Sequence, residues 1–491
     1  MTTKKVFIWI LASLCTLIIS SCNNNSKIDR DKLSQALAKY DSFSDFSNGF
    51  ARVQKDKKYG VIDKSGSEVA PCEYDGIFKW TEARDQITGK QAILLPNGKM
   101  KELVGYKYIL GVQNTDEIMA VGKGGEDGFG RDGKWGFIDK TGKEIIPCIY
   151  DLPSDDHGIN CSFSEGLINV GTYNKYGFID KTGKEVIPLT LRYSFIGDFS
   201  DGMAFVSDFF ISGEEAGKYG FIDKTGREVI PRVYENASPF SEGLACVQRN
   251  GKYGFIDKNG KEAIPFNYNM TSEGDDVKES TGFYKGLAVM RVNDGSGSAY
   301  SWDAEGKCGV IDKTGKVIIP FTYSNIAPFE NGFIYSNFDP KNGGDKFHNQ
   351  KWGLLDKTGK EITPCIYDNM PIYSEGLASV SKNDKYGFID KTGKEVIPLI
   401  YDEIYAPEGI YTSGKSTYFP EGLAGVKKKG KWGFIDKTGK EVIPCVLEEI
   451  TDYSGIKFSD GLALVKWNNQ VGYVDKEGYF IGKEIVKNLN E

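Results

Sequence analysis

The sequence predicts an all-β fold made of tandem β-hairpin units. The first observation is a repeated phrase, KYGFIDKTGKEVIP at Lys175–Pro188 and KWGFIDKTGKEVIP at Lys431–Pro444. Its core, aromatic–Gly–apolar–aliphatic–Asp–Lys–x–Gly or a close variant, recurs ten times. The glycines of these copies are Gly60, Gly136, Gly177, Gly220, Gly254, Gly309, Gly353, Gly387, Gly433 and Gly472. A period of this kind sets the architecture, because each copy is one supersecondary unit that buries its faces only against neighbours. The second observation is composition: 59 glycines and 13% aromatics in 491 residues argue for turn-rich β structure and against disorder. The third is turn chemistry, with hairpin signals at fixed offsets inside each copy.

The chain opens with a segment of a different kind. Lys4 and Lys5 precede an apolar run from Val6 to Ile19, followed by small residues, which is the layout of a secretory signal. The run is short of the roughly 20 residues a helix needs to span a bilayer. Ile19-Ser20-Ser21-Cys22 then resembles the lipobox of bacterial lipoproteins, and Asn23-Asn24-Asn25 follows as a linker. The resemblance implies cleavage before Cys22 and acylation of that cysteine. Acyl chains at about 0.8 kcal/mol per buried methylene would hold such a protein on a membrane. Next, Leu33, Ala36, Leu37 and Tyr40 fall at helical spacing, with Asp29 as an N-cap. A short amphipathic helix is expected there, covering the first repeat as arrays require of their ends.

Within a unit such as the one from Phe240, Ser241-Glu242-Gly243 is a turn and Leu244–Val247 a strand. Asn250-Gly251 turns into a second strand, Lys252–Asp257. Asp257-Lys258-Asn259-Gly260 has the residues of a type I turn with a closing glycine. Glu262–Pro265 returns as a third strand, which the proline is expected to end. A weaker fourth segment follows in several copies, as at Ile400–Ile404. Alternation puts Tyr176, Phe178 and Asp180 on one face and Gly177 and Ile179 on the other. The Ile179 position is aliphatic in all ten copies, as a packed position should be. The glycine is expected to let a neighbouring ring lie over bare backbone. The aspartates from Asp63 to Asp475 are expected to form turns by accepting backbone N–H bonds.

Lys90–Lys99 fits as a decayed copy, with Ala92 at the glycine and Leu95 at the aspartate, giving about eleven units. Gly60 to Gly472 spans 412 residues, a mean period near 41. Propellers typically close at about 4–8 blades, so an open, twisted, solenoid-like array is expected, with one or two β-propellers as the alternative. The organisation read from the sequence is a signal peptide at 1–21 and a lipid-anchored linker with a short capping helix at 22–39. The β array occupies 40–483, and 484–491 form a C-terminal tail.

This unit is similar to the WG repeat, also called KWG repeat, of bacterial secreted and surface proteins, over most of residues 40–483. Cys308, Val471 and Leu95 depart from the pattern. The resemblance implies a β-repeat architecture. It implies no single activity and supplies no catalytic residues.

Chemistry is sparse. Net charge is −7, or −9 without residues 1–21, which gives no electrostatic reason to bind nucleic acid. Cys72, Cys148, Cys365 and Cys445 share the slot after the repeat proline with Leu189, Phe266, Phe321 and Leu399, and read as core fillers. No CxxC is present, so no zinc site, other metal or cofactor is expected. The two histidines, His157 and His348, lie in loops without a nucleophile context. Lys-Thr-Gly occurs seven times at a hairpin turn, which removes it as a catalytic motif.

The unrepeated inserts Gly105–Asp132, Asp208–Gly217, Thr271–Lys285, Asn293–Glu305, Asp339–Gln350 and Tyr405–Pro420 are the candidate binding segments. Tyr300, Trp302, Tyr411 and Tyr418, with Phe347 and Tyr405, are their aromatics, suited to anchoring a protein partner or stacking on sugar. The function expected is a non-enzymatic binding or scaffold module for protein partners, tethered by Cys22 at the bacterial cell envelope, on the outer membrane or cell surface. Glycan binding is the alternative, and polysaccharide hydrolysis a further one.

Overall fold

A computed structural model describes residues 28–80, 84–86, 89–112, 115, 117–125, 133–152, 154–155, 158–159, 161–172, 175–207, 218–268, 282–292, 307–337, 350–406, 417–448 and 456–491. Helix α1, Arg30–Leu37, begins where the sequence places it, with the Asp29 carboxylate accepting the Lys32 N–H at 3.2 Å. Leu33, Ala36, Leu37 and Tyr40 are buried as their spacing requires.

The sixth unit shows how each copy folds. Strands Asn236–Ala237, Leu244–Arg249, Lys252–Asp257 and Glu262–Tyr268 form one antiparallel sheet in chain order. The Asp257 N–H donates to the Lys261 carbonyl and the Gly260 N–H to the Asp257 carbonyl, both at 2.9 Å, and Gly260 sits at φ +78°. This is the tight turn its residues predict. The fourth strand does not stop at Pro265, contrary to expectation. Tyr253 pairs with Tyr268 and Phe255 with Ile264, so the outer strand takes two extra residues there. Proline is tolerated because it sits in a bulge on an edge strand, where no ladder bond is lost.

That bulge explains the invariant glycine. A Cβ on Gly177 would lie 2.5 Å from the Ile187 carbonyl oxygen and 2.9 Å from the Leu189 nitrogen. The neighbour is therefore backbone in most copies. A ring carbon joins the close neighbours at Gly254, where Phe266 lies beside the Ile264 carbonyl. The weaker segment after Tyr401 opens the following unit instead of closing its own, since Glu403 pairs with Lys427.

Eleven such sheets follow one another among the described residues, flanked by one two-stranded hairpin at Ser154–Ile159. The Lys90–Lys99 copy is one of them. Its strands Gln91–Leu94 and Met100–Glu102 form a hairpin with the standard turn, and Asn97 Oδ1 accepts the Lys99 N–H at 3.0 Å in place of an aspartate. The unit is irregular elsewhere: Gly76–Lys79 joins it in parallel, and Arg84–Gln86 pairs into the third sheet. The aliphatic position of the repeat is buried throughout, as Ile62, Ile179, Ile256 and Ile389 illustrate. Each such side chain contributes about 1.5–3 kcal/mol.

The array closes, so the repeated β units stand as expected but in the propeller form given as the alternative to the open array, and the sheets are the blades of one ring. Leu33, Leu37, Phe46 and Val53 share one core with Leu462, Leu464, Tyr473 and Ile481. Every strand of the first blade precedes every strand of the last, so no strand is exchanged; closure rests on side chains and α1. The Ser34 hydroxyl donates to the Gly482 carbonyl at 2.7 Å, and the Lys483 ammonium donates to the Tyr40 carbonyl at 2.6 Å. Residues 484–491 are not a free tail. Ile485–Asn488 is the fifth strand of the last blade, because Tyr479–Gly482 would otherwise be left as its open edge.

Candidate functional site

The repeated polar residues are consumed locally. Asp180 Oδ1 accepts the Thr182 hydroxyl at 2.6 Å, the Thr182 N–H at 2.9 Å and the Lys184 N–H at 3.1 Å. The threonine hydroxyl, aided by those N–H groups, holds this carboxyl below its usual range. The same holds for Asp223, Asp312, Asp356, Asp390 and Asp436. A carboxylate saturated in this way is a turn former, as expected. The slot cysteines pack with their sulfurs near backbone carbonyls, Cys148 Sγ lying 3.3 Å from the Val121 oxygen. Burial pushes the Cys148 and Cys445 thiols up to about 11, so neither is a nucleophilic thiolate at neutral pH.

Ser241-Glu242-Gly243 and its equivalents, read from sequence only as turns, also join one blade to the next. Between the fifth and sixth blades, Phe221 meets Phe240 edge-on at 4.8 Å and the Ser200 hydroxyl donates to the Phe240 carbonyl at 2.7 Å. Asp201 accepts the Gly243 N–H at 2.5 Å and pairs with Lys258 at 3.0 Å. Burial raises the Asp201 carboxyl, but Lys258 and that N–H outweigh it and hold the group below its usual range. Eight seams carry this acid–lysine pair among the described residues: Glu117–Lys181, Glu165–Lys224, Asp201–Lys258, Glu242–Lys313, Glu330–Lys391, Glu375–Lys437, Glu421–Lys476 and Asp460–Lys64. The Phe-Ser-acid-Gly recurrence was the signal for this contact.

Cys22, Tyr300, Trp302 and Tyr411 lie outside the described residues, as do His157 and His348. Tyr418 is described, and its exposed reading is corrected. It is 3% exposed and packs edge-on against Phe388 at 5.6 Å, in the core between the ninth and tenth blades. Ring burial at a seam outweighs exposure at a loop end. Among the described residues no group of three metal-ligating side chains occurs.

Of the three seams without this pair among the described residues, the one between the seventh and eighth blades places a second lysine where the acid stands elsewhere. In the seventh blade Lys285 occupies the acid position, at φ 54° beside Gly286, just as Glu242 does at φ 51° beside Gly243. The Lys285 and Gly286 N–H groups still donate to Glu242 behind them, at 2.6 and 3.0 Å. Ahead of them stands Lys357, the turn lysine of the eighth blade. A cavity of about 80 Å³ opens between these blades, lined by Tyr284, Lys285, Leu287, Phe329, Phe333 and Lys357.

The family described as "WG containing repeat" matches residues 37–59, 59–83, 135–152, 176–208, 219–253, 253–273, 309–335, 352–386, 386–409, 415–432 and 432–470. No curated protein matches the chain. Among solved structures, a eukaryotic initiation factor is 9% identical, over 73% of this chain and 88% of that one, with a TM-score of 0.40. The tricorn protease is 11% identical over 92% and 44%, with a TM-score of 0.28. An uncharacterised protein of Listeria monocytogenes is 14% identical over 68% and 97%, with a TM-score of 0.29. Likeness at this level carries nothing about activity. The family's segments cover more than half of the chain and run along its blades, and the protein belongs to the WG-repeat family.

Proposed function

We propose that this protein is a lipoprotein tethered through Cys22 at the bacterial cell envelope, where its ring serves as a non-enzymatic binding module for protein partners. The observation that carries this reading is the fate of the repeated polar groups. Aspartates, threonines, seam acids and, at eight seams, turn lysines are spent on turns and on neighbouring blades, as at Asp180 and Asp201. Recognition then falls to what is not repeated, the inserts between units. The lipobox-like Ile19–Cys22 supports the tether.

The test is made on the full chain in a bacterial host. Mass spectrometry of the mature N-terminus should show an acylated Cys22, and C22A should leave the membrane fraction. Cross-linking on intact cells should then join protein partners to the Thr271–Lys285, Asn293–Glu305 or Tyr405–Pro420 inserts. An unmodified N-terminus sinks the tether. Cross-links only to glycan, or turnover of a polysaccharide, would replace the protein-binding reading.

A further inference from the structure

The seam between the seventh and eighth blades has the geometry of its neighbours with one charge reversed. At the adjoining seams the acid and lysine meet, as Glu242 with Lys313 at 3.0 Å and Glu330 with Lys391. Here Lys285 and Lys357 face a shared cavity, and among the described residues neither ammonium forms an ion pair. Glu330 also lines this cavity, but its carboxylate is held by Lys391, the next blade's turn lysine. That hydrogen bond, with the fields of Lys391, Lys285 and Lys357, keeps Glu330 ionised below the usual range. The Lys391–Glu330 pair is internally neutral, so Lys285 and Lys357 leave the cavity with an excess of two positive charges. Both lysines are exposed residues lining the same cavity, and a carboxylate between them would answer both charges, as the seam acid answers one elsewhere.

We propose that this cavity is a binding site for a small organic carboxylate, whose oxygens stand where an acidic side chain stands at the paired seams. The walls define the remainder of the ligand. Leu287, Phe329 and Phe333 are apolar, and Tyr284, 55% exposed, holds its ring at the rim with the Lys285 ammonium 4.9 Å from its centroid. A volume of about 80 Å³ is room for about two or three waters, enough for a carboxylate and a short stem, with any ring left at the open rim beside Tyr284. The class that fits is a carboxylate on a short apolar or single-ring body. The proposal stands apart from the tethered-module reading, since it concerns a small ligand and no envelope partner.

Benzoate and its neutral isostere benzamide are the probes, used with the full mature chain and followed by calorimetry and thermal melting. Benzoate should bind one to one and raise the melting temperature, and benzamide should do neither. K285E restores the pattern of the other seams. It should melt at least as high as the parent, through a new pair with Lys357, and weaken benzoate binding by about tenfold or more. K357Q should weaken benzoate binding while leaving the other seams intact. The assignment is overturned if benzamide binds as well as benzoate, if K285E keeps the affinity, or if K285E melts lower than the parent.

Discussion

The seam between the fifth and sixth blades and the seam between the eleventh and first share one set of contacts, but only the former is crossed by the chain. At the first, Phe221 meets Phe240, Asp201 accepts Gly243 N–H, and Lys258 completes the pair. At the second, Tyr473 meets Phe46 at 5.1 Å, Asp460 accepts the Gly49 N–H at 2.7 Å, and Lys64 lies 3.6 Å away. The partners are 42 residues apart at the ordinary seam and 411 apart at the closing one. Loop closure that grows as (3/2)RT ln n makes the long link costlier by about 2 kcal/mol. The closing seam accordingly has contacts the other lacks. Leu33 and Leu37 of α1 are buried in it, and the Tyr473 hydroxyl donates to the Ser44 carbonyl at 2.5 Å. Arg30 reaches Asp475 at 2.5 Å, taking the place of the threonine that bonds the aspartate in ordinary turns.

Breaking α1 should have the largest effect. Leu33→Ala and Leu37→Ala should each cost about 2–5 kcal/mol. The double variant should raise hydrogen exchange in the first and last blades selectively. Ile230→Ala, a buried residue of the ordinary seam, should cost as much per residue without that polarity. Exchange rising evenly around the ring would remove the distinction.

Arg30→Met should cost about 1.5–3 kcal/mol by urea unfolding, because it strips a charged donor from a carboxylate that is almost fully buried. If the loss is no greater than that of Thr438→Val in the tenth blade, Arg30 is only a surface contact. Tyr473→Phe keeps the ring and deletes the hydroxyl, leaving the Ser44 carbonyl unmet at about 1–3 kcal/mol. Phe221 never had such a partner, so a silent Tyr473→Phe would show that the two seams are equivalent.

The smallest effect tests the turns. Thr182→Val should cost about 0.5–1.5 kcal/mol at neutral pH. The Asp180 carboxyl is depressed below its ordinary 3.8, so the stability it adds is complete above that value and is lost as pH falls through the lower folded value. The gap between parent and variant should therefore narrow in acid. A gap that stays constant with pH would mean the hydroxyl acts by packing alone.

Most of a single blade was legible because its causes are local. Asp257 and Gly260 dictate a turn, the aliphatic at Ile256 dictates a buried face, and Asp29 with Leu33 and Leu37 dictates a capped helix. Closure was not legible, since it depends on the small rotation each blade adds, which no one unit declares. A trace of it was present nonetheless: Asp460 and Lys64 keep the seam residues at the two ends, where an open array has no use for them. Tyr418 was misjudged because an insert's edge and a core ring look alike in sequence. The lysine at position 285 stood out only after Glu242 and Asp201 were seen to form seams.

The two ends of the described chain leave the ring at one spot, for Arg30 reaches the Glu477 carboxylate at 2.7 Å and Asn490 donates to the Glu477 carbonyl at 3.1 Å. Seven residues lead from Cys22 to Asp29, a leash of about 25 Å at full stretch. If its far end is held in lipid, one sector of the wheel can never stray further than that from the bilayer. The sixth blade, diametrically across, is the part free to swing outward.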